Sequence, residues 1–230
     1  MTDEIIIGVD LGGTRIRAAC LDEKLNLLER RETLTKADGG LDATLDRIKS
    51  LIHEVMPDDK TVRGIGISAP GPLNPETGVV VAPPNLAGWH NVPLGDILHD
   101  EFDVPVYVGN DANVAALAEV TRGAAKGYRH AIYITVSTGV GSGIIYDGRL
   151  LLGREGLAGE AGHMMIVSDD ERISSVEKEA AGPWLVKHLK KRLNKGATSQ
   201  VLKLADNDIE KIDAKLIGQA ANNGDVLAIE

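Results

Sequence analysis

Cysteine is almost missing from this 230-residue chain, Cys20 being the only one. One thiol closes no internal disulfide and builds no cysteine-rich metal site, and it suits a reducing cytoplasm. Aromatic residues are scarce too, at 3 %, which leaves the core to Val, Ile, Leu and Ala. No apolar run reaches membrane-spanning length, and the short polar start, Met1 to Glu4, leads straight into a strand, so no signal peptide is expected. Positive charge is the minority sign: 25 Lys and Arg stand against 34 Asp and Glu, for a net charge of −9. A non-specific nucleic-acid surface needs a basic stripe. The sequence therefore predicts a cytoplasmic protein with neither nucleic acid nor membrane as a partner.

Glycine, by contrast, is plentiful at 26 residues, and many of these cluster in short loops. Such loops bring backbone N–H groups close to an anion without any net positive charge. Between them lies a mixed α/β pattern. Ile5–Val9 reads as a buried strand, Arg15–Leu21 as its hairpin partner and Leu25–Leu34 as a third strand. Leu41, Leu45, Ile48, Leu51, Ile52 and Val55 repeat at helical spacing, and Pro57 ends that helix. A strand at 62–67, a short helix at 94–101, a strand at 104–108 and a helix at 112–120 follow. Residues 123–129 read as a hinge. The opening theme then returns, with a strand at 131–136, a glycine turn at 137–143 and a strand at 144–146. Two domains are expected, 1–122 and 123–230, with a glycine turn in each facing a common cleft. Near the end, Leu185, Leu189 and Leu193 predict the apolar seam of a basic helix. The last residues, Leu227–Glu230, fall inside a further helix beginning after Gly224-Asp225, so a truncated second domain is expected.

Four segments carry chemistry. In Asp10-Leu11-Gly12-Gly13-Thr14-Arg15 a strand delivers a carboxylate to a tight turn. The glycines admit an oxyanion, Thr14 adds a hydroxyl, and Asp10 is able to hold Mg²⁺ through water; an ordinary Asp-Gly hairpin turn explains the same residues. Ser137-Thr138-Gly139-Val140-Gly141-Ser142-Gly143 repeats the design with three glycines in five positions. In Gly109-Asn110-Asp111-Ala112-Asn113 the polar residues either cap a helix or place a carboxylate at the carboxyl end of a strand, where open α/β sheets bind ligands. From there Asp111 takes the proton of an attacking hydroxyl. Glu160 and His163, three apart, either pair with each other or converge on one small polar ligand.

These segments, with Gly71-Pro72, Asn85-Leu86, Trp89 and the run Thr138 to Gly143, resemble the motifs of the ROK (repressor, open reading frame, kinase) family of sugar kinases, in the family's order, as far as about residue 185. The resemblance implies an actin-like ATPase (ribonuclease H-like) fold of two domains around a cleft, and ATP-dependent phosphorylation of a hexose, glucose foremost. It places Asp10, Gly12, Gly13, Thr14 and Arg15 at the ATP phosphates with Mg²⁺, and Thr138, Gly139 and Gly141 there from the second domain. Asn85, Asn110, Glu160, His163 and Glu177 become sugar contacts, with Asp111 as both sugar contact and general base. A homodimer is expected.

The sequence departs from the family twice. Members commonly hold a structural zinc through the histidine of the Glu-x-Gly-His motif and three later cysteines. No cysteine follows His163, and Ser168–Ser175 is short and charged, so no structural zinc is expected. Members also continue through further helices and a glycine-rich turn for adenosine beyond the point where this sequence stops. Two other function classes stay open: a transcriptional repressor, which in this family carries an N-terminal helix-turn-helix where this chain begins at the kinase strand, and a sugar-binding protein without catalysis.

Overall fold

The computed structural model describes residues 4–168 and 172–230. Residues 169–171, within the charged stretch Ser168–Ser175, and Met1–Asp3 of the polar start lie outside the described residues. The chain divides into two compact units, Met1–Ala131 with Gly143–Ala158, and Ile132–Ser142 with Gly159–Glu230.

In the first unit the strands β1 (Glu4–Leu11), β2 (Arg15–Asp22) and β3 (Leu27–Leu34) form an antiparallel meander. Helix α1 (Gly40–Val55) leads to β4 (Thr61–Ala69), which pairs parallel to β1. A small sheet of β5 (Leu73–Asn74), β6 (Val79–Val80) and β7 (Val92–Pro93) follows, then α2 (Leu94–Phe102), β8 (Val106–Asn110) and α3 (Asp111–Arg122). The main sheet runs in the order β3-β2-β1-β4-β8.

Strict alternation along β1 buries Ile5, Ile7, Val9 and Leu11 on one face. From α1, Leu45, Ile48, Leu51, Ile52 and Val55 join the same core, at the helical spacing the sequence shows. Each fully buried aliphatic side chain contributes about 1.5–3 kcal/mol, so this layer dominates the unit's stability. The opposite face of the sheet carries Gly8 and Asp10, and this is the face that matters below.

Three readings of the sequence change. The fourth long strand starts at Val106 and ends at Asn110 rather than covering 104–108. Pro105 has no N–H to give a ladder; its carbonyl accepts from Ile65, and pairing with β4 begins one residue later. Next, β10 begins at Val140, inside the expected glycine turn. The Ser137 N–H reaches the Gly139 carbonyl at 2.8 Å and closes the turn in three residues. Gly143 is therefore a strand residue, and a Cβ there would stand 2.6 Å from the Ala112 carbonyl and the Ala116 side chain. Finally, the seam of the basic helix is Val186, Leu189 and Leu193, while Leu185 is exposed.

The strands β9 (Ala131–Val136), β10 (Val140–Tyr146) and β11 (Arg149–Leu150) form a sheet in the order β11-β10-β9. This repeats the β3-β2-β1 order of the opening meander. From Gly159 onward the second unit holds β12 (Met165–Val167), β13 (Ile173–Ser175), α4 (Val176–Ala180), α5 (Gly182–Leu193), α6 (Val201–Leu204), α7 (Ala214–Asn222) and α8 (Val226–Ile229). Its core gathers Leu189, Leu193, Val201, Ile212 and Ile217. Among the described residues no helix is long and apolar enough to cross a membrane.

Candidate active site

The parallel strands of the first unit end together. Asp10 lies opposite Ser68, Ser68 opposite Gly109, and Ala69 opposite Asn110. Neighbouring strands lie about 4.8 Å apart, so the ends of β1 and β8 are separated by about 10 Å. The chain passes from Asn110 directly into α3. The Asn110 Oδ1 accepts the Ala112 N–H at 3.0 Å, and the Asp111 carboxylate accepts the same N–H at 2.8 Å. Asn110 thus caps the helix, one of the two readings of that segment. Capping occupies only the amide oxygen, and its nitrogen lies beside Gly71, where a Cβ would stand 3.0 Å away. Asp111 itself is exposed.

The turn after β1 is held by a residue that the sequence did not single out. Thr35, wholly buried, donates its hydroxyl to the Gly12 carbonyl at 2.6 Å and its N–H to the Thr14 carbonyl at 2.9 Å. Arg47 of α1 donates to the Thr35 carbonyl at 2.9 Å. Gly13 must be glycine because Asn85 packs on it: a Cβ would stand 2.7 Å from the Asn85 Cβ. The loop bearing Asn85 is anchored by buried Leu86 and Trp89.

Two arginines flank the turn. Arg15, expected at the nucleotide, donates to Glu32 at 2.9 Å on the exposed surface. Arg17 donates to the Asp10 carboxylate at 2.7 Å, and this bond raises the pKa of the guanidinium above its ordinary value. A cavity of about 620 Å³ opens on this sheet face. Its polar end is Asp10, Arg17, Ser68, Asn110 and Asn113, and its floor includes Gly8 and Gly66. Neither Asn85 nor Asp111 lines it.

In the second unit the turn Ser137–Gly139, the loop Gly159–His163 and Glu177 form one cluster. Glu177, on the first turn of α4, accepts the Val140 N–H at 3.0 Å. Ser142 donates its hydroxyl to the Gly159 carbonyl at 2.7 Å. Gly162 sits against the Val140 carbonyl, where any Cβ would collide. Glu160 and His163 face each other, with Oε2 and Nδ1 3.3 Å apart, and both are exposed along with Thr138.

A model of the ROK family matches residues 6–230. The chain belongs to the ROK family. It is 34 % identical over 229 residues to the glucokinase of Thermotoga maritima, which covers 97 % of this chain and 72 % of that protein. The crystal structure of a ROK family glucokinase from Streptomyces griseus in complex with glucose and AMPPNP matches with a TM-score of 0.75 and 34 % identity, over 98 % of this chain and 73 % of that one. The N-acetylmannosamine kinase of Citrobacter koseri is 38 % identical over 159 residues, 69 % of this chain and 53 % of that protein. The fold is the actin-like ATPase fold, as the motifs imply.

For a ROK kinase the chemistry of the donors decides which metal fits. Among the described residues no three His, Cys, Asp or Glu side chains gather into a metal-binding group. Asp10 is a half-exposed carboxylate at the glycine turn, ion-paired with Arg17. That set suits a magnesium ion arriving on nucleotide phosphates, since Mg²⁺ keeps most of its water and needs only one or two protein carboxylates.

Proposed function

We propose that this ROK sugar kinase transfers the terminal phosphoryl group of ATP directly to a hexose, most favourably glucose to give glucose 6-phosphate, with Asp111 as general base. The observation that carries the proposal is the common ending of β1, β4 and β8. Their register brings Asp10, Ser68 and the Asn110-Asp111 pair to one edge of the sheet. Phosphoryl transfer asks the protein for positioning, charge neutralisation and one base rather than a covalent intermediate. Asp111 takes the proton of the sugar hydroxyl as that oxygen attacks the γ-phosphorus. The bond to the β–γ bridging oxygen breaks, and ADP leaves with it.

The other roles follow unit by unit. On the first unit Asp10, with Gly12, Gly13 and Thr14, faces the phosphates and the magnesium they carry, while Asn85 and Asn110 contact the sugar. On the second, Thr138, Gly139 and Gly141 face the nucleotide, and Glu160, His163 and Glu177 contact the sugar. A hexose is a ring of hydroxyls, each both donor and acceptor, and this mixture of amides, carboxylates and imidazole matches it. The glucokinase relatives favour glucose. Fructose, mannose and N-acetylmannosamine are the competing acceptors, and the N-acetylmannosamine kinase relative keeps the last in contention.

The test is ADP release with Mg²⁺ across a hexose panel, beside Asp111→Asn. Release should require a sugar and be fastest with glucose, and the variant should lose at least about 100-fold, the lower bound for a positioned base. Equal activity in the variant would remove Asp111 from its role. Sugar-independent release would remove the sugar.

A further inference from the structure

Gly139 was expected to be a glycine so that a phosphate could approach the backbone. The structure gives it a second reason. A Cβ at Gly139 would stand 2.6 Å from Oε2 of Glu177, the same oxygen that accepts the Val140 N–H at 3.0 Å. A carboxylate oxygen therefore sits against the turn whose residues are proposed to face the nucleotide. This contact is built in from several sides. Glu177 stands in the first turn of α4, which Ser175 caps through the Lys178 N–H. The Gly182 N–H, at the start of α5, donates to the Ser137 carbonyl at 2.9 Å. Gly162 fits against the Val140 carbonyl only because it has no side chain, and Ser142 is bonded to Gly159. The turn and the Glu160–His163 loop thus share one backbone framework, with Glu177 touching its centre.

A carboxylate offers two oxygens and about four acceptor positions. In Glu177 only Oε2 is engaged among the described residues, and the side chain is half-buried. We propose that Glu177 is a positioning residue that couples the two substrates: Oε1 takes a sugar hydroxyl while Oε2 fixes the Val140 N–H, so that sugar occupancy orders the Thr138–Val140 turn for the phosphates. This rests on the reading of Glu177 as a sugar contact. Without sugar the Val140 N–H alone, among the described residues, holds the carboxylate, through Oε2. With sugar both oxygens are anchored, and the turn meets the nucleotide already ordered.

The experiment measures glucose binding alone, and the binding of a non-hydrolysable ATP analogue with and without glucose, by titration calorimetry. It uses the wild-type chain, Glu177→Gln and Gly139→Ala, with circular dichroism to confirm that each folds. In the wild type glucose should tighten the analogue about tenfold, a typical coupling between two sites. Gly139→Ala pushes the carboxylate off the turn without changing its chemistry. It should bring the coupling factor, the ratio of analogue affinities with and without glucose, close to one whatever it does to either affinity alone. Glu177→Gln should weaken glucose and reduce the coupling. Retained coupling in Gly139→Ala, no coupling in the wild type, or a tighter sugar-free complex with the analogue in Glu177→Gln would each overturn the proposal. Unchanged glucose affinity in Glu177→Gln would instead overturn the sugar-contact reading on which it stands. Should Gly139→Ala not fold, the wild-type and Glu177→Gln coupling factors decide alone, equal factors overturning the proposal.

Discussion

Asp10 shows how one residue acquires its properties from a register. Seven positions along the chain, Arg17 returns opposite it across the β1–β2 hairpin and donates at 2.7 Å. Both side chains are about half exposed, so solvent screening leaves the pair little weight in stability. Its effect falls on chemistry, because the guanidinium competes for the carboxylate proposed to meet Mg²⁺. Arg17→Ala should leave the melting temperature within about 2 °C. It should lower the Mg²⁺ concentration for half-maximal rate about threefold, since that competition is worth no more than the pair itself. A Mg²⁺ titration at fixed ATP measures it, and a raised requirement would show that Arg17 serves the phosphates instead. The sequence pointed to Asp10, Asn110 and Asp111 because each is a polar residue beside a strand end or a glycine, and to Glu177 only through the family resemblance. It did not point to Thr35 or Arg17, whose positions depend on cross-strand pairing. Thr35 meets Thr14 because Arg15 pairs with Leu34, and that register includes a bulge between Cys20 and Leu21 which no local pattern announces.

At the scale of elements, periodicity located the helices and the alternating strands well, since burial on one face leaves a repeat in the residues themselves. It failed where backbone hydrogen bonding decided the boundary. Pro105 delays β8, the three-residue turn advances β10, and the α5 seam runs through Val186 rather than Leu185. Caps were legible only in part. Asp225 was read as the residue before a helix, but it also organises the start of α6. Its carboxylate accepts the Gln200 N–H at 2.6 Å, the Ser199 hydroxyl at 2.9 Å and the Ala228 N–H at 2.9 Å. The Gln200 N–H foremost, with the other donors, holds its pKa below the usual carboxylate value, although burial opposes this. A carboxylate with a depressed folded pKa adds stability that is present above its unfolded value of about 3.9 and is lost as pH falls through the folded one. Asp225→Asn should therefore cost about 2 kcal/mol at pH 7, the worth of hydrogen bonds to a charged group. The gap between variant and wild type should close as denaturation is repeated from pH 5 toward pH 2. A gap that stays constant with pH would mean that charge plays no part in this cap.

For the whole molecule, composition excluded classes while motif order named the family. The net charge of −9 left room for an anionic nucleotide because the phosphate contacts are assigned to backbone turns rather than to a basic surface. The repeated meander, β3-β2-β1 and β11-β10-β9, was visible in the sequence as a strand, a glycine turn and a second strand. Strand β10 runs from one compact unit into the other at Ser142–Gly143, between residues that local pattern treats alike. What no pattern within the chain supplies is the identity of the acceptor, which depends on where a few hydroxyls meet a few side chains.

Following ³¹P resonances while the chain is incubated with ATP, Mg²⁺ and glucose addresses that chemistry most directly. A phosphate monoester on the sugar should accumulate in step with ADP, and should stay undetected with Asp111→Asn over the same period. Inorganic phosphate growing in place of the ester, or the ester forming as fast in the variant, would contradict a sugar kinase with Asp111 as its base.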